Sequence, residues 1–174
     1  MNNIDLSQFI DIYPDFPEPG IQFRDISPIL SSTTAMDVVV QQFQEKISPF
    51  KPEILAGIES RGFLFSTLLA NSLGIGSIMI RKPGKLPGEL LAESYSLEYG
   101  KNTLVIQKDC SAAGKRVVII DDLLATGGTI NAAIKLLQRL GATPVGVGVV
   151  IELKGLQGST TLPIDLISLV SVDG

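Results

Sequence analysis

Histidine and tryptophan are absent from the 174 residues of the chain, and cysteine occurs once, at Cys110. Without histidine, the chain cannot form a Ser-His-Asp or Cys-His triad, a histidine-ligated zinc site or an imidazole acid–base catalyst. A single cysteine excludes a disulfide within the chain and is typical of a reducing compartment, which predicts a cytoplasmic protein with an inert thiol. The chemistry is therefore expected from carboxylates, hydroxyls, basic side chains and the backbone.

Long hydrophobic runs and an excess of positive charge are also missing. The longest apolar stretches, such as Val117–Ile120, are only a few residues long and cannot span a bilayer. The segment Met1–Phe9 carries Asp5 and no basic residue before its apolar residues, so it is not expected to be a signal peptide. Because 14 basic and 18 acidic residues give a formal net charge of −4, we expect neither a membrane nor a nucleic-acid partner.

The hydrophobic residues that are present, 45% of the chain, alternate between strand-like and helix-like blocks within one predicted domain, 1–174. The helix-like blocks end near residues 47, 73 and 140, and the strand-like blocks lie at 54–58, 75–80, 116–120 and 145–151. This pattern predicts an α/β fold in which helices cover both faces of a parallel sheet. We expect two additions, a proline-rich N-terminal loop and a polar β-hairpin near 91–107.

The most informative segment follows the strand at 116–120 and reads Asp121-Asp122-Leu123-Leu124-Ala125-Thr126-Gly127-Gly128-Thr129. In open α/β sheets, ligands bind beyond the carboxyl ends of the strands, which is where this segment must lie. Gly127 and Gly128 let backbone N–H groups approach an anion, and the N-terminus of the following helix adds further donors. Thr126 and Thr129 can donate from their hydroxyls. The segment therefore predicts a phosphate site.

Two carboxylates beside this loop argue against a site for phosphate alone, because carboxylates repel phosphate. Asp121 and Asp122 suit hydroxyls or a metal ion on the same ligand. A sugar diol held by the carboxylates beside a phosphate held by the loop describes a ribose 5-phosphate. Since adjacent residues of an extended strand point to opposite faces, we do not expect the two carboxyls to share a proton.

The segment Val117–Thr129 resembles the phosphoribosyl-pyrophosphate motif of type I phosphoribosyltransferases. Further stretches, in the same order, resemble the members of that family that act on adenine: Pro19–Pro28, Glu59–Phe63, Arg81–Gly88 and Tyr95–Gly100. The resemblance implies the parallel-sheet fold of the family, with an N-terminal hood near 1–30 and a mobile loop and hairpin flap near 81–107. It also implies Mg²⁺-dependent transfer of the 5-phosphoribosyl group from phosphoribosyl pyrophosphate to adenine, which gives AMP and pyrophosphate in purine salvage, by a homodimer.

The resemblance implies a role for each matched residue. The 5-phosphate is bound by Ala125, Thr126, Gly127, Gly128 and Thr129, and the ribose hydroxyls lie by Asp121 and Asp122. The pyrophosphate is bound by Glu59, Ser60 and Arg61 and by the basic residues Lys82 and Lys85, which act partly across the dimer interface. Adenine is bound by the backbone of Gln22 and Arg24 and by the Phe23 ring, with Tyr99 nearby and Glu98 as the catalytic group for the purine proton. The Mg²⁺ ion is held mainly by the substrate, with Asp121 and Asp122 able to act through water.

Two other functions remain open on the sequence. The same fold could select hypoxanthine or xanthine, or it could serve as a non-catalytic nucleotide sensor that regulates transcription. A regulator would need a nucleic-acid-binding element, and the chain has neither an additional helix-turn-helix domain nor a basic face. Each motif also has a purely structural interpretation: a turn at Gly127-Gly128, a helix start at Arg61, a solvated loop at 81–85, a core Phe23 and a solvated Glu98.

Overall fold

The computed structural model describes residues 4–97 and 100–173. The strands are β1 (Asp11–Pro14), β2 (Gln22–Asp25), β3 (Ile54–Ile58), β4 (Gly76–Ile80), β5 (Leu90–Leu97), β6 (Gly100–Gln107), β7 (Arg116–Leu124), β8 (Thr143–Leu153) and β9 (Leu166–Val172). The α-helices are α1 (Ser27–Ser31), α2 (Thr33–Ile47), α3 (Gly62–Leu73) and α4 (Gly128–Arg139). Single 3₁₀ turns lie at Leu6–Phe9, Ser48–Phe50, Lys154–Leu156 and Gly158–Thr161.

A five-stranded sheet of order β4-β3-β7-β8-β9, parallel throughout, forms the centre of the molecule. This confirms the predicted α/β fold and its four strands. The fifth strand, β9, was not predicted, because its short apolar stretch follows a mostly polar segment and has no clear strand pattern around it. Strand β7 also continues through Asp121 and Asp122 to Leu124, since it stays paired with β8 as far as Glu152.

Helices bury both faces of the sheet. Along β7, Val117 and Ile119 pack into the cluster that contains α4, whereas Val118 and Ile120 pack against α2 and α3. This alternation follows from the period of two along a strand. The prediction of a buried strand at 75–80 is wrong, because β4 forms an edge of the sheet and leaves Met79 46% exposed.

The N-terminal segment forms a small antiparallel two-stranded sheet from β1 and β2, separate from the main sheet. Apolar residues at 6, 9, 10 and 12 predict a short helix over Ile4–Ile12, but the structure has only the 3₁₀ turn Leu6–Phe9, and part of the expected N-terminal loop is β2. Thr34 with Asp37 predicts a capping pair for the next helix, whereas α2 is capped by Ser32, whose Oγ accepts a hydrogen bond from the N–H of Ala35 at 3.2 Å.

The predicted hairpin is confirmed as β5 and β6, which pair in antiparallel register as far as Leu97 and Gly100. Glu98 and Tyr99, predicted to act on the base, lie outside the described residues. Within residues 4–97 and 100–173, no helix is long and apolar enough to cross a membrane.

Candidate active site

The carboxyl ends of β3, β4 and β7 bring the predicted site residues to one edge of the sheet. The segment after β3 carries Glu59 and Arg61, and the segment after β4 carries the basic loop that starts at Arg81. Side-chain contacts connect these segments: Arg61 reaches Asp122 at the end of β7, and Glu59 reaches Lys85. The sequence-predicted site is therefore assembled from three strand ends, as parallel sheets favour.

The loop between β7 and α4 has the geometry of an anion site. Gly127 is the residue before the first turn of α4 and has φ 88°, a conformation that favours glycine. Asp121 and residues 123–130 line a concave pocket beside it. The first N–H groups of a helix have no partner within the helix, so those of α4 are available to a ligand here.

Asp121 and Asp122 are both buried at the end of β7, with 8% and 7% of their surface exposed. The N–H of Asp122 donates to Asp121 Oδ1 at 2.9 Å. Burial first, and then the Asp122 carboxylate with its hydrogen bond, raises the pKa of Asp121 well above the usual range. The segment Arg61-Gly62 lies against both side chains: Arg61 Nη2 is 2.7 Å from Asp122 Oδ2, and a Cβ on Gly62 would lie 3.0 Å from Asp121 Oδ1. That the two carboxyls do not share a proton stays a prediction.

Arg61 connects the strand end to the N-terminal hood. Its Nη2 lies 2.7 Å from Asp122 Oδ2, and its Nη1 donates to the backbone oxygen of Arg24 at 3.4 Å. Its guanidinium carbon also lies 5.3 Å from the centre of the Phe23 ring, within range of a cation–π contact. The guanidinium thus holds the hood, α3 and the carboxylate pair in one arrangement.

Glu59 holds the basic loop against the end of β3. Its Oε1 accepts from Lys85 Nζ at 2.6 Å, and its Oε2 accepts from the Lys82 N–H at 2.9 Å and from Arg81 Nε at 3.3 Å. Burial raises the pKa of the Glu59 carboxyl, but the hydrogen bonds from Lys85, Lys82 and Arg81 outweigh it and lower the pKa to about 2. Both oxygens of Glu59 are engaged by protein donors, whereas its neighbour Ser60 is exposed beyond a cis Glu59–Ser60 peptide bond.

The hood residues present two different environments. Gln22 is exposed, and its Oε1 accepts from Arg24 Nη2 at 3.3 Å. Phe23 is half-buried, with Phe16 at its edge 5.1 Å between ring centres. Arg24 is 7% exposed, and its Nε has no hydrogen-bond acceptor among the residues the structure describes.

Two site residues were missed by the sequence analysis. Arg81 lies in the basic stretch that the sequence singled out but was given no role of its own; it donates to Glu59, and its guanidinium carbon lies 5.7 Å from the centre of the Phe63 ring. Tyr95, on β5, has its hydroxyl 3.0 Å from Thr129 Oγ1 and so connects the hairpin to the phosphate loop. The basic run was a usable signal for Arg81, but one tyrosine in an alternating strand gave none for Tyr95.

The carboxylate oxygens near the phosphate loop suit Mg²⁺ as ligands. Asp122 Oδ2 is buried and, apart from its ion pair with Arg61, accepts no hydrogen bond of good geometry from the described residues. Mg²⁺ prefers oxygen ligands, keeps several waters and takes few of its ligands from protein. Among the described residues, no three acidic or cysteine side chains gather into a cage. Asp121 and Asp122 therefore fit an ion that is held mostly by a bound ligand.

Known proteins are similar to this chain in both sequence and architecture. Residues 30–169 match the family model described as phosphoribosyl transferase domain. An adenine phosphoribosyltransferase from Gluconacetobacter diazotrophicus is 48% identical over 170 residues, which are 98% of this chain and 97% of the relative. One from Rhodospirillum rubrum is 49% identical over 172 residues, or 98% and 99% of the two chains.

Solved structures agree with these relatives. The adenine phosphoribosyltransferase of Thermoanaerobacter pseudethanolicus has a TM-score of 0.93 and 43% identity over 96% of this chain and 98% of its own. The Saccharomyces cerevisiae enzyme, solved with adenine and an iminoalditol bisphosphate, has a TM-score of 0.88 and 38% identity over 94% and 96%. The chain therefore belongs to the phosphoribosyltransferase family and, within it, to the adenine phosphoribosyltransferases.

Proposed function

We propose that the protein transfers the 5-phosphoribosyl group of phosphoribosyl pyrophosphate to adenine and releases AMP and pyrophosphate, as a step of purine salvage. The observation that carries this function is the joint presence, at one sheet edge, of an anion loop, two buried carboxylates and a basic loop. A sugar that bears a phosphate at one end and a pyrophosphate at the other fits these three neighbouring groups, with its hydroxyls at the carboxylates. The relatives named above supply the choice of adenine.

Each of the three parts of the site binds a different group of phosphoribosyl pyrophosphate. In this proposal, the backbone of Ala125–Thr129 and the hydroxyls of Thr126 and Thr129 bind the 5-phosphate. Asp121 and Asp122 face the ribose hydroxyls. Ser60 and Arg61 bind the pyrophosphate together with Lys82 and Lys85, which lie beside them through Glu59. Glu59 itself is occupied by protein donors, so its role in binding is indirect.

The reaction exchanges one bond at C1 of the ribose. N9 of adenine attacks C1, the bond from C1 to the pyrophosphate oxygen breaks, and its electron pair leaves with the pyrophosphate. As that bond loosens, the ribose gains positive charge, which the carboxylate pair stabilises. The proton that the neutral base carries on N9 or N7 passes to Glu98, and the hairpin that bears this residue excludes water.

The hood supplies the adenine site in this proposal. Phe23 is half-buried, so one part of its ring can stack on a purine, and the backbone groups of Gln22 and Arg24 can read the edge of the base. Adenine offers an acceptor at N1 and a donor at its 6-amino group, whereas hypoxanthine reverses both. Tyr99 follows Glu98 in sequence and is proposed to contact substrate from the hairpin.

Magnesium is the proposed cofactor. When bound, Mg²⁺ offsets negative charge on the pyrophosphate and so assists its departure. Asp121 and Asp122 would hold the ion through water and would also orient the ribose. Burial of both carboxylates makes a neutralising cation favourable at this position.

We also propose a cytoplasmic homodimer. Leu64 and Leu68, one turn apart on α3, are 45% and 47% exposed, and Met79 on edge strand β4 is 46% exposed. Leu64 and Leu68 form an exposed apolar pair on α3, and exposed apolar patches often mark an interface. Light scattering after size-exclusion chromatography gives the mass in solution, and Leu68→Glu should convert a dimer into a monomer. A monomeric wild type would contradict the proposed dimer but not the proposed activity, which has its own test.

The experiment that tests the function mixes purified protein with Mg²⁺, phosphoribosyl pyrophosphate and adenine, and quantifies nucleotide and pyrophosphate by chromatography. AMP and pyrophosphate should appear in equal amounts and only when all components are present. Nucleotide binding without turnover would favour the sensor, and product from hypoxanthine or xanthine instead of adenine would favour the related purine enzyme. Gly127→Val, which keeps the sheet but obstructs the loop, is the inactive control.

A further inference from the structure

A short 3₁₀ turn between β8 and β9, Gly158–Thr161, packs directly against the loop proposed to bind the 5-phosphate. Gly158 is buried, and a Cβ placed on it would overlap the backbone oxygen of Ala125 and lie 3.0 Å from the nitrogen of Gly127. A Cβ on Gly127 would in turn overlap Thr161 Oγ1 and lie 3.0 Å from the oxygen of Gly158. The two backbones touch so closely that neither position has room for a side chain.

Hydrogen bonds fix the turn to the helix that follows the loop. The Thr161 hydroxyl donates to the oxygen of Gly158 at 2.7 Å and accepts from Asn131 Nδ2 at 3.0 Å. Asn131 lies on the first turn of α4, where its own N–H donates to the oxygen of Gly127 at 2.9 Å. Turn, loop and helix start therefore form one closed set of contacts around Gly127.

We propose that Gly158, Thr161 and Asn131 are positioning residues, which hold the backbone N–H groups of Ala125–Thr129 in the orientation that binds the 5-phosphate. The inference rests on the proposed function, because it takes that loop to be the phosphate site. An anion bound by backbone donors gains most when the donors are already oriented, since no reorganisation is then needed on binding. Gly127, with its φ of 88°, has little intrinsic preference for one conformation, so the neighbouring turn determines the shape of the loop.

The chain offers a matched control on the same turn. Thr160 also has its hydroxyl bonded to a backbone oxygen, that of Gln157 at 2.8 Å, but unlike Thr161 it is not among the groups that pack on Gly127. Thr160→Val therefore removes an equivalent hydrogen bond from the turn while leaving the contact with the loop intact. A difference between Thr161→Val and Thr160→Val reports on loop position rather than on turn stability alone.

The experiment measures the dissociation constant of ribose 5-phosphate by calorimetry, and the KM values for phosphoribosyl pyrophosphate and adenine, for wild type, Thr161→Val, Thr161→Ser, Asn131→Ala and Thr160→Val. Losing one net hydrogen bond that orients the loop is expected to weaken ribose 5-phosphate binding by about tenfold in Thr161→Val and Asn131→Ala. The KM for phosphoribosyl pyrophosphate should rise in parallel, and the KM for adenine should stay within about twofold. Thr161→Ser, which keeps the hydroxyl, should bind as wild type does, and so should Thr160→Val.

The outcomes separate the two proposals. If Thr161→Val and Asn131→Ala bind ribose 5-phosphate as tightly as wild type, the positioning role is wrong. Equal losses in Thr160→Val would also contradict it. If wild type itself fails to bind ribose 5-phosphate, the proposed function fails first. Should Thr161→Val not fold by circular dichroism, Asn131→Ala decides the question, because Asn131 is only half-buried and its truncation leaves the turn's own Thr161–Gly158 hydrogen bond in place.

Discussion

The guanidinium of Arg61 lies with Nη2 2.7 Å from Oδ2 of Asp122, so a charge from the end of β3 meets a carboxylate from the end of β7. The same guanidinium reaches the backbone oxygen of Arg24 and the face of Phe23. Through these contacts, the Arg61 side chain fixes the distance between the hood and the carboxylate pair. Because the hood is the proposed adenine site and the carboxylates are the proposed ribose site, Arg61 also fixes the distance between base and sugar.

Replacing Arg61 is expected to damage substrate binding more than folding. Arg61→Met removes the ion pair with Asp122 and a proposed pyrophosphate ligand, so the KM for phosphoribosyl pyrophosphate should rise by about tenfold or more. Arg61→Lys should recover little, because an ammonium cannot reproduce the forked contacts. Steady-state kinetics measures the effect, with Arg139→Met, whose partners are Ala92 and Glu93 on the hairpin, as control. Equal kinetic effects of the Arg61 and Arg139 variants would contradict the assigned role.

Glu59 should make stability depend on acid pH. Its pKa is lowered from 4.5 to about 2 in the folded protein, so the carboxylate contributes stability above pH 4.5 that is lost as the pH falls toward 2. In Glu59→Gln this part of the acid-induced loss should disappear, and stability at neutral pH should be lower. Denaturant unfolding at several pH values measures it, and Glu89→Gln, on a carboxylate 84% exposed, is the control. An unchanged pH dependence in Glu59→Gln would show that the ion pairs do not persist in solution.

Asp121 is expected to show a conflict between stability and activity. Its pKa is raised in the folded state, so protonation favours folding, and stability falls as the pH rises through that pKa. Asp121→Asn removes the buried charge and keeps an oxygen for the Asp122 N–H. At neutral pH a gain of about 1 kcal/mol would raise Tm by about 2–4 °C, while kcat/KM falls by about tenfold or more. Loss of both stability and activity would indicate that the charge is held by partners within the fold.

The hairpin prediction concerns Glu98, which is proposed to take the purine proton. Glu98→Gln keeps the size of the side chain and removes the base, so kcat at saturating substrates should fall by about 10²–10⁴-fold. Circular dichroism checks the fold, and Glu93→Gln, on the same hairpin and paired with Arg139, is the control. A loss smaller than about threefold, far below that range, would assign Glu98 to a solvated hairpin position.

Much of the fold followed from the sequence because strand and helix periodicity reflects local burial. The strands at 54–58 and 116–120, the hairpin and the α4 helix with its glycine-rich start were all predicted, and the structure contains them. Strand β9 was missed, since it is a short edge strand that follows a polar segment and is only partly buried. Whether β4 is buried depends on which neighbour covers it, and no local pattern contains that information.

The site was predicted in its parts but not in its connections. The glycines and the carboxylates of 121–129 are neighbours in sequence, so a phosphate and sugar site could be predicted from this one segment. The Arg61–Asp122 pair and the Glu59 contacts join residues from different strand ends, and the turn at Gly158–Thr161 packs on the loop from more than 25 residues away. Such contacts depend on the order of the strands in the sheet, which periodicity does not specify.

The most direct test of the account is the ratio of kcat/KM for adenine to that for hypoxanthine, measured with Mg²⁺ and saturating phosphoribosyl pyrophosphate. A site that hydrogen-bonds the edge of one base leaves its buried polar groups unpaired with the other, which supports discrimination by about 10⁴-fold. We predict a preference for adenine of that order. A ratio within about tenfold of unity, or a preference for hypoxanthine, would contradict the claim that this protein is specific for adenine.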